Sequence, residues 1–337
     1  MDLSLDHTGA RAPAIGVEIA DAGTRITALV EAPSGARTAS SRSMAPPAPD
    51  DAVEQIAGLV ARLATEVGAP VAALGVALNG RVDAERGAVL SLRYGAGWEN
   101  VALADRLRQA TGLPVFLDTI TNAAALAEAR HGAGAAFRHV LYIRSEQGVT
   151  AAYVSAGHIA LRGATGGEGQ LGHVRVRADG PRCSCGATGH VEPLASAQAI
   201  VRNMIGRASC SDDSTAAMLR ASAGRAEAMS AAQVARLAAA GEPAAVAVVS
   251  DALDALAFAL AGALALLDPD VVVVGGPLAQ ADAWLFEQLR ARVSAARQPF
   301  VIPPLVAGTL EPRAALLGAT LLPVASVLAG AATHGGS

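Results

Sequence analysis

The sequence predicts a layered α/β protein of two lobes, on three observations. Segments with strand period and segments with helix period alternate through the first half of the chain. The second half opens on the same strand, hairpin and helix plan, as a duplicated fold would. The length of 337 residues, at about 150 per domain, leaves room for two cores. With 52% hydrophobic and 17% charged residues and a mean hydropathy of +0.37, most of the chain should be packed.

Residues 15–19 and 25–30 read as strands joined by a turn at 20–23, and the Pro/Ser-rich stretch 38–49 reads as a loop. Val53, Ile56, Leu59, Val60 and Leu63 repeat at helical spacing and predict a helix over 51–67. A strand follows at 72–78, a turn at 80–83 and a returning strand at 87–92. An amphipathic helix over 103–111 stops at Gly112, and a short strand at 114–117 runs into a helix over 122–131. The second half starts with strands at 139–143, 151–155 and 159–162. Residues 163–189 are rich in Gly, lack periodicity and read as loop; 193–267 read as helical throughout. Four valines at 271–274 run into Gly275-Gly276, the kind of strand end at which α/β lobes present backbone amides to a ligand. A last helix is predicted over 313–328.

Charge and cysteine content exclude several classes. All 26 basic residues are arginine, so no lysine can serve a Walker-type phosphate loop, a Schiff base or general base catalysis. A net charge of -4 lacks the basic excess of a nucleic-acid binder, and DNA binding by this chain alone is not expected. Three cysteines make no disulfide framework and suit a reducing, cytoplasmic setting. Residues 1–13 form a leader without the apolar core of a signal peptide. The uncharged stretch 255–267 is too short for a membrane span, and 314–333 is broken by Pro323, so no membrane partner is expected.

Chemistry concentrates in His173, Cys183, Cys185 and His190. Two soft thiolates two residues apart, flanked by imidazoles, supply four ligands for a tetrahedral structural zinc. A metal would hold a loop that has little apolar content of its own. The bland alternative is two buried thiols and two surface histidines.

The run 162–173 ends in Gln170-Leu171-Gly172-His173, and Cys183-Ser184-Cys185-Gly186 is followed by His190 and Glu192. Together they resemble the two signature segments, E-x-G-H and C-x-C-G-x-x-G-C-x-E, of the ROK family of repressors and sugar kinases. Weaker likenesses lie at 75–83, Gly97-Trp98, Asn122 and 268–276. The resemblance covers most of 14–325 and implies a sugar kinase/actin-like (ribonuclease H-like) fold. It implies an N-terminal lobe over 14–123, completed by the helix 313–328, and a C-terminal lobe over 124–312 carrying the zinc loop 163–192. A sugar would lie between the lobes against Tyr94, Gln170, His173 and Glu192, with His173 also a metal ligand, and the chain would form a homodimer. His190 replaces the family's last metal cysteine, and Gln170 replaces a sugar-binding glutamate. Glu168, two residues earlier, is a candidate shifted carboxylate.

The same resemblance exposes what is missing for phosphoryl transfer. The family's base is the Asp of N-D-x-N; here that segment is Thr119-Ile120-Thr121-Asn122, and an aliphatic Ile120 cannot take a proton. The neighbouring Asp118 is not expected to substitute. The first phosphate loop retains Gly23 and Thr24 beside an intrusive Asp21, and the second, Glu146-Gln147-Gly148, keeps one glycine. With Gly275 and Gly276 these are vestiges of a nucleotide site, since side chains block the close backbone approach that phosphate needs. ATP and Mg²⁺ are therefore not expected as cofactors. The reading is a non-catalytic sugar sensor, near the repressor branch but with too few residues before the first strand for a helix-turn-helix. The alternatives are an ATP-dependent sugar kinase with an unconventional base, and a dimeric scaffold with a vestigial cleft.

Overall fold

The structure is a computed structural model and describes residues 13–20, 25–32, 35–42, 47–68, 70–92, 95–296 and 301–334. The chain divides into two compact units: one comprises residues 1–131, 154–168 and 313–337, the other 132–153 and 169–312.

The first unit is built on a five-stranded sheet in the order β3-β2-β1-β4-β7. Its strands are β1 (Ala14–Ala20), β2 (Arg25–Ala32), β3 (Gly35–Arg42), β4 (Ala73–Leu78) and β7 (Val115–Thr119). β1, β2 and β3 pair antiparallel, whereas β4 and β7 join β1 in parallel. Every residue of β4 is buried, as a strand covered on both faces requires. Helices α1 (Pro49–Val67) and α2 (Leu103–Thr111) pack together, and α1 also lies on β2 and β3. α1 starts with proline at its first position and two aspartates in its first turn. It buries Ala52, Ile56, Leu59, Val60 and Leu63, and ends at Gly68 with φ of 64°. α10 (Ala314–His334) packs against α3 (Ile120–His131), β1 and β4. Gly16 and Gly75 permit this: a Cβ on Gly16 would lie 2.7 Å from the Leu316 carbonyl oxygen, and one on Gly75 would collide with the Ala319 carbonyl.

The second sheet repeats the plan in the order β10-β9-β8-β11-β12, which is the duplication expected from the sequence. Its strands are β8 (His139–Ser145), β9 (Val149–Ser155), β10 (His158–Ile159), β11 (Val271–Gly275) and β12 (Leu305–Ala307). β8, β11 and β12 run parallel. The second unit's core packs this sheet against α4 (Glu192–Ala195), α5 (Ala197–Ala208), α6 (Asp212–Ala221), α7 (Ala231–Ala239), α8 (Pro243–Leu267) and α9 (Ala283–Ala296).

Several expectations need correction. Residues 35–42 form β3 rather than the start of a loop, because β2 offers a free edge and pairs with them residue for residue. Residues 80–83 form strand β5 (Gly80–Asp83), paired with β6 (Ala88–Leu92), rather than a turn. The strand expected over 159–162 stops at Ile159. α8 extends to 25 residues and, by length and composition, is long and apolar enough to cross a membrane, but 56% of its most apolar window is buried inside the protein. One face of it joins the second core, while Val246, Phe258 and Leu266 are exposed. Tyr94, Gly23 and Thr24 lie outside the described residues.

Candidate functional site

In the second unit, the loop between β10 and α4 folds into a knuckle held by its own backbone. The Cys183 amide donates to the Ala187 carbonyl and the Gly186 amide to the Cys183 carbonyl, a turn that puts both sulfurs on one side. Gly189, with φ of 75°, brings the chain against Arg177, where a Cβ would collide with the Arg177 carbonyl. An isolated bridge from Arg175 to His190 closes the loop. The result gathers His173, Cys183, Cys185 and His190, whose donor atoms all lie within 4.8 Å of one another.

Tetrahedral zinc, with bonds of about 2.0–2.1 Å to nitrogen and 2.3 Å to sulfur, sets neighbouring donors about 3.3–3.8 Å apart. Here His173 Nδ1 and His190 Nδ1 are 3.4 Å apart, Cys183 Sγ and His173 Nδ1 3.6 Å, and Cys185 Sγ and His190 Nδ1 3.4 Å. The four residues fit a metal ion in chemistry and in spacing, with histidine in the fourth place. Burial pushes the Cys183 thiol up. A bound cation would reverse that by stabilising the thiolate.

Beside this cluster, Glu192 is buried at the start of α4, and Ser184 Oγ donates to its Oε1 at 2.7 Å. Ser184 was not among the residues singled out from the sequence, although its place between the two cysteines is a readable signal. Gln170 is exposed, immediately before the single turn Leu171–His173 that carries His173. Gln170, His173 and Glu192 thus belong to one unit. Glu168 belongs to the other, and its Oε2 is buried without a hydrogen-bond partner.

In the first unit, Ile120 opens α3 and is buried, with 7% exposure. Asp118, two residues earlier at the end of β7, is only 2% exposed. Its Oδ1 accepts from the Thr119 amide and from Asn122 Nδ2, both at 2.7 Å, and its Oδ2 accepts from Arg162 Nη2 at 2.6 Å. Each oxygen thus accepts at least one hydrogen bond. The Thr119 hydroxyl in turn accepts from the Asn122 amide, capping α3. Asp118 therefore acts as an anchor between strand and helix.

Of the residues expected as vestiges of a nucleotide site, the described ones, Gly148, Gly275 and Gly276, all lie in the second unit. Gly148 lies in the β8–β9 turn, where its carbonyl accepts from the Glu146 amide, so the turn closes on itself. Gly275 and Gly276 end β11, and the Gly276 amide donates to Glu311.

Two sheets of common strand order and a Cys/His loop in the second unit define a mixed α/β protein of the sugar kinase-like kind. The family model described as "ROK family" matches residues 14–325, and the chain belongs to the ROK family. It is 32% identical over 262 residues to a glucokinase of Thermotoga maritima, covering 78% of this chain and 79% of that one. The fold is similar to the crystal structure of a ROK family glucokinase from Streptomyces griseus in complex with glucose and AMPPNP. That similarity has a TM-score of 0.75 at 29% identity and covers 94% of this chain and all of that one (100%). It is also similar to a ROK family transcriptional regulator described as a homologue of the E. coli MLC protein. There the TM-score is 0.80 at 26% identity, over 93% of this chain and 78% of that one.

Proposed function

We propose that this protein is a non-catalytic ROK sugar-binding module that works as a regulator-like sensor. The observation that supports the reading is a buried, aliphatic Ile120 where the resemblance expects the proton acceptor, beside an Asp118 whose carboxylate is held by Thr119, Asn122 and Arg162. Loss of a general base alone costs on the order of 10²- to 10⁴-fold in rate. The sugar side keeps suitable groups. Glu192 would accept from ring hydroxyls through charge-assisted bonds, Gln170 would donate and accept, and Tyr94 would add a hydroxyl and a ring face. His173 and His190 would hold zinc through Nδ1, with Cys183 and Cys185, leaving the other ring nitrogen of His173 for a hydroxyl. Zinc there would be structural, ordering the loop that carries Gln170, His173 and Glu192. Thiolate ligands suit the reducing cytoplasm, where we place the chain as a homodimer.

Thermal denaturation with a panel of sugars and with ATP-Mg²⁺ tests the reading. Some sugar should raise the melting temperature and ATP should not. ATP-dependent phosphorylation of any sugar by the purified chain would overturn it in favour of a kinase with an unconventional base, the activity of its glucokinase relatives.

A further inference from the structure

At the C-terminal ends of β8 and β11, three donors converge on one oxygen. Glu311 Oε1 accepts from Tyr142 Oη at 2.9 Å, from Arg144 Nη1 at 3.0 Å and from the Gly276 amide at 2.7 Å. The side chains of Arg144 and Glu311 are 12% and 8% exposed. Arg144 turns its remaining edge to Glu146, whose Oε2 accepts from Nε at 3.2 Å and from Nη2 at 2.7 Å. The glycines make the cluster possible: a Cβ on Gly275 would collide with the Tyr142 hydroxyl. Gly276 has φ of +73°, and a Cβ there would lie 2.6 Å from the Ser145 carbonyl oxygen.

A backbone amide, a guanidinium and a phenol aimed at one point are the donors with which α/β sheets hold an anionic ligand beyond their strand ends. Glu311 arrives from 35 residues beyond Gly276 in sequence to fill that point. With Glu146 included, one guanidinium faces two carboxylates, so the cluster is net negative and repels a further anion.

We propose that Tyr142, Arg144 and Gly276 form an anion-binding site of phosphoryl or carboxylate chemistry that the chain keeps closed with its own Glu311. This rests on the non-catalytic reading and supplies its phosphate-side counterpart: polyphosphate is shut out by an internal carboxylate that accepts the same three hydrogen bonds.

The test uses the whole chain with Glu311→Ala and Glu311→Ser. Acetate and inorganic pyrophosphate should raise the melting temperature of Glu311→Ala by several degrees in a concentration-dependent way, and leave the unsubstituted chain unmoved. Equal responses of the two proteins would overturn the proposal. Should Glu311→Ala fail to fold, Glu311→Ser also vacates the point and leaves only a short hydroxyl there. It should bind pyrophosphate at least about tenfold more tightly than the unsubstituted chain in equilibrium dialysis, and equal affinity would be equally fatal. Sugar phosphorylation by the unsubstituted chain is scored separately. It bears on the absence of catalysis, whereas the difference between the Glu311 variants and the unsubstituted chain bears on the closed site alone.

Discussion

Arg162 reaches across 44 residues of sequence to place Nη2 2.6 Å from Oδ2 of Asp118. The carboxylate is 2% exposed and the guanidinium 41%. The pair is therefore asymmetric: Asp118 has left water and Arg162 has not. Removing the arginine strands a buried charge that keeps only Asn122 and one backbone amide. Because Arg162 is partly solvated, Arg162→Ala should cost about 1–3 kcal/mol, below the range for a wholly buried pair. Urea denaturation measures this, and in an Asp118→Asn background the cost of Arg162→Ala should fall to less than half. Additive losses in the double-mutant cycle would show that the two side chains act separately.

What the sequence made legible follows the range of the interactions. α1 and β4 declare themselves through local period, and the Cys/His cluster through four donors within eighteen residues, 173 to 190. β3 does not, since the small and polar run GARTASSR becomes a strand only by pairing with β2. α9 carries a signal in the spacing of Leu285, Leu289 and Val293, which the reading of the sequence leaves unassigned. The Arg162–Asp118 pair and the Glu311 cluster join residues brought together by the fold, and no local pattern announces them.

Gly318 in α10 faces α3, and a Cβ there would collide with the Ala123 carbonyl. The collision is with backbone, so no rotamer change relieves it. Gly318→Ala should destabilise the chain by about 1–3 kcal/mol through overpacking. Gly206→Ala on α5, where a Cβ meets nothing within 4 Å, should be neutral or slightly stabilising. Thermal melts of both variants check the contrast.

Burial, reinforced by the Glu311 carboxylate, raises the Tyr142 phenol well above the ordinary tyrosine value of 10.0. Below pH 10 the folded and unfolded chains both keep the proton, and the group adds no pH dependence. Above pH 10 the unfolded chain releases a proton that the folded chain retains, so stability falls as pH rises, at up to about 1.4 kcal/mol per pH unit for this proton. Burial together with Asp270 and Asp268 raises Tyr153 in the same direction. Tyr142→Phe should therefore lower stability at pH 8 through the lost hydrogen bond to Glu311, yet flatten the decline between pH 10 and 11. An unchanged alkaline slope in urea denaturation would contradict this assignment.

The Cys/His cluster makes the sharpest compositional prediction. His173, Cys183, Cys185 and His190 offer two sulfurs and two nitrogens within 4.8 Å. Cys183 is 4% exposed, whereas Cys185 is exposed. The purified chain should carry about one zinc per molecule, as a four-ligand structural site does. Cys183→Ser, Cys185→Ser and His190→Ala should each lose most of it. His190→Cys should retain it, because a thiolate in that place restores three sulfurs and one nitrogen, a combination zinc takes equally well. Chelation should open the loop 174–190 to protease and lower the melting temperature, and added zinc should reverse both, since the loop has little apolar content to hold its shape. Metal content by atomic emission decides the matter. A metal-free chain whose Cys183→Ser and Cys185→Ser variants melt where the parent does would leave the knuckle standing on its backbone hydrogen bonds alone.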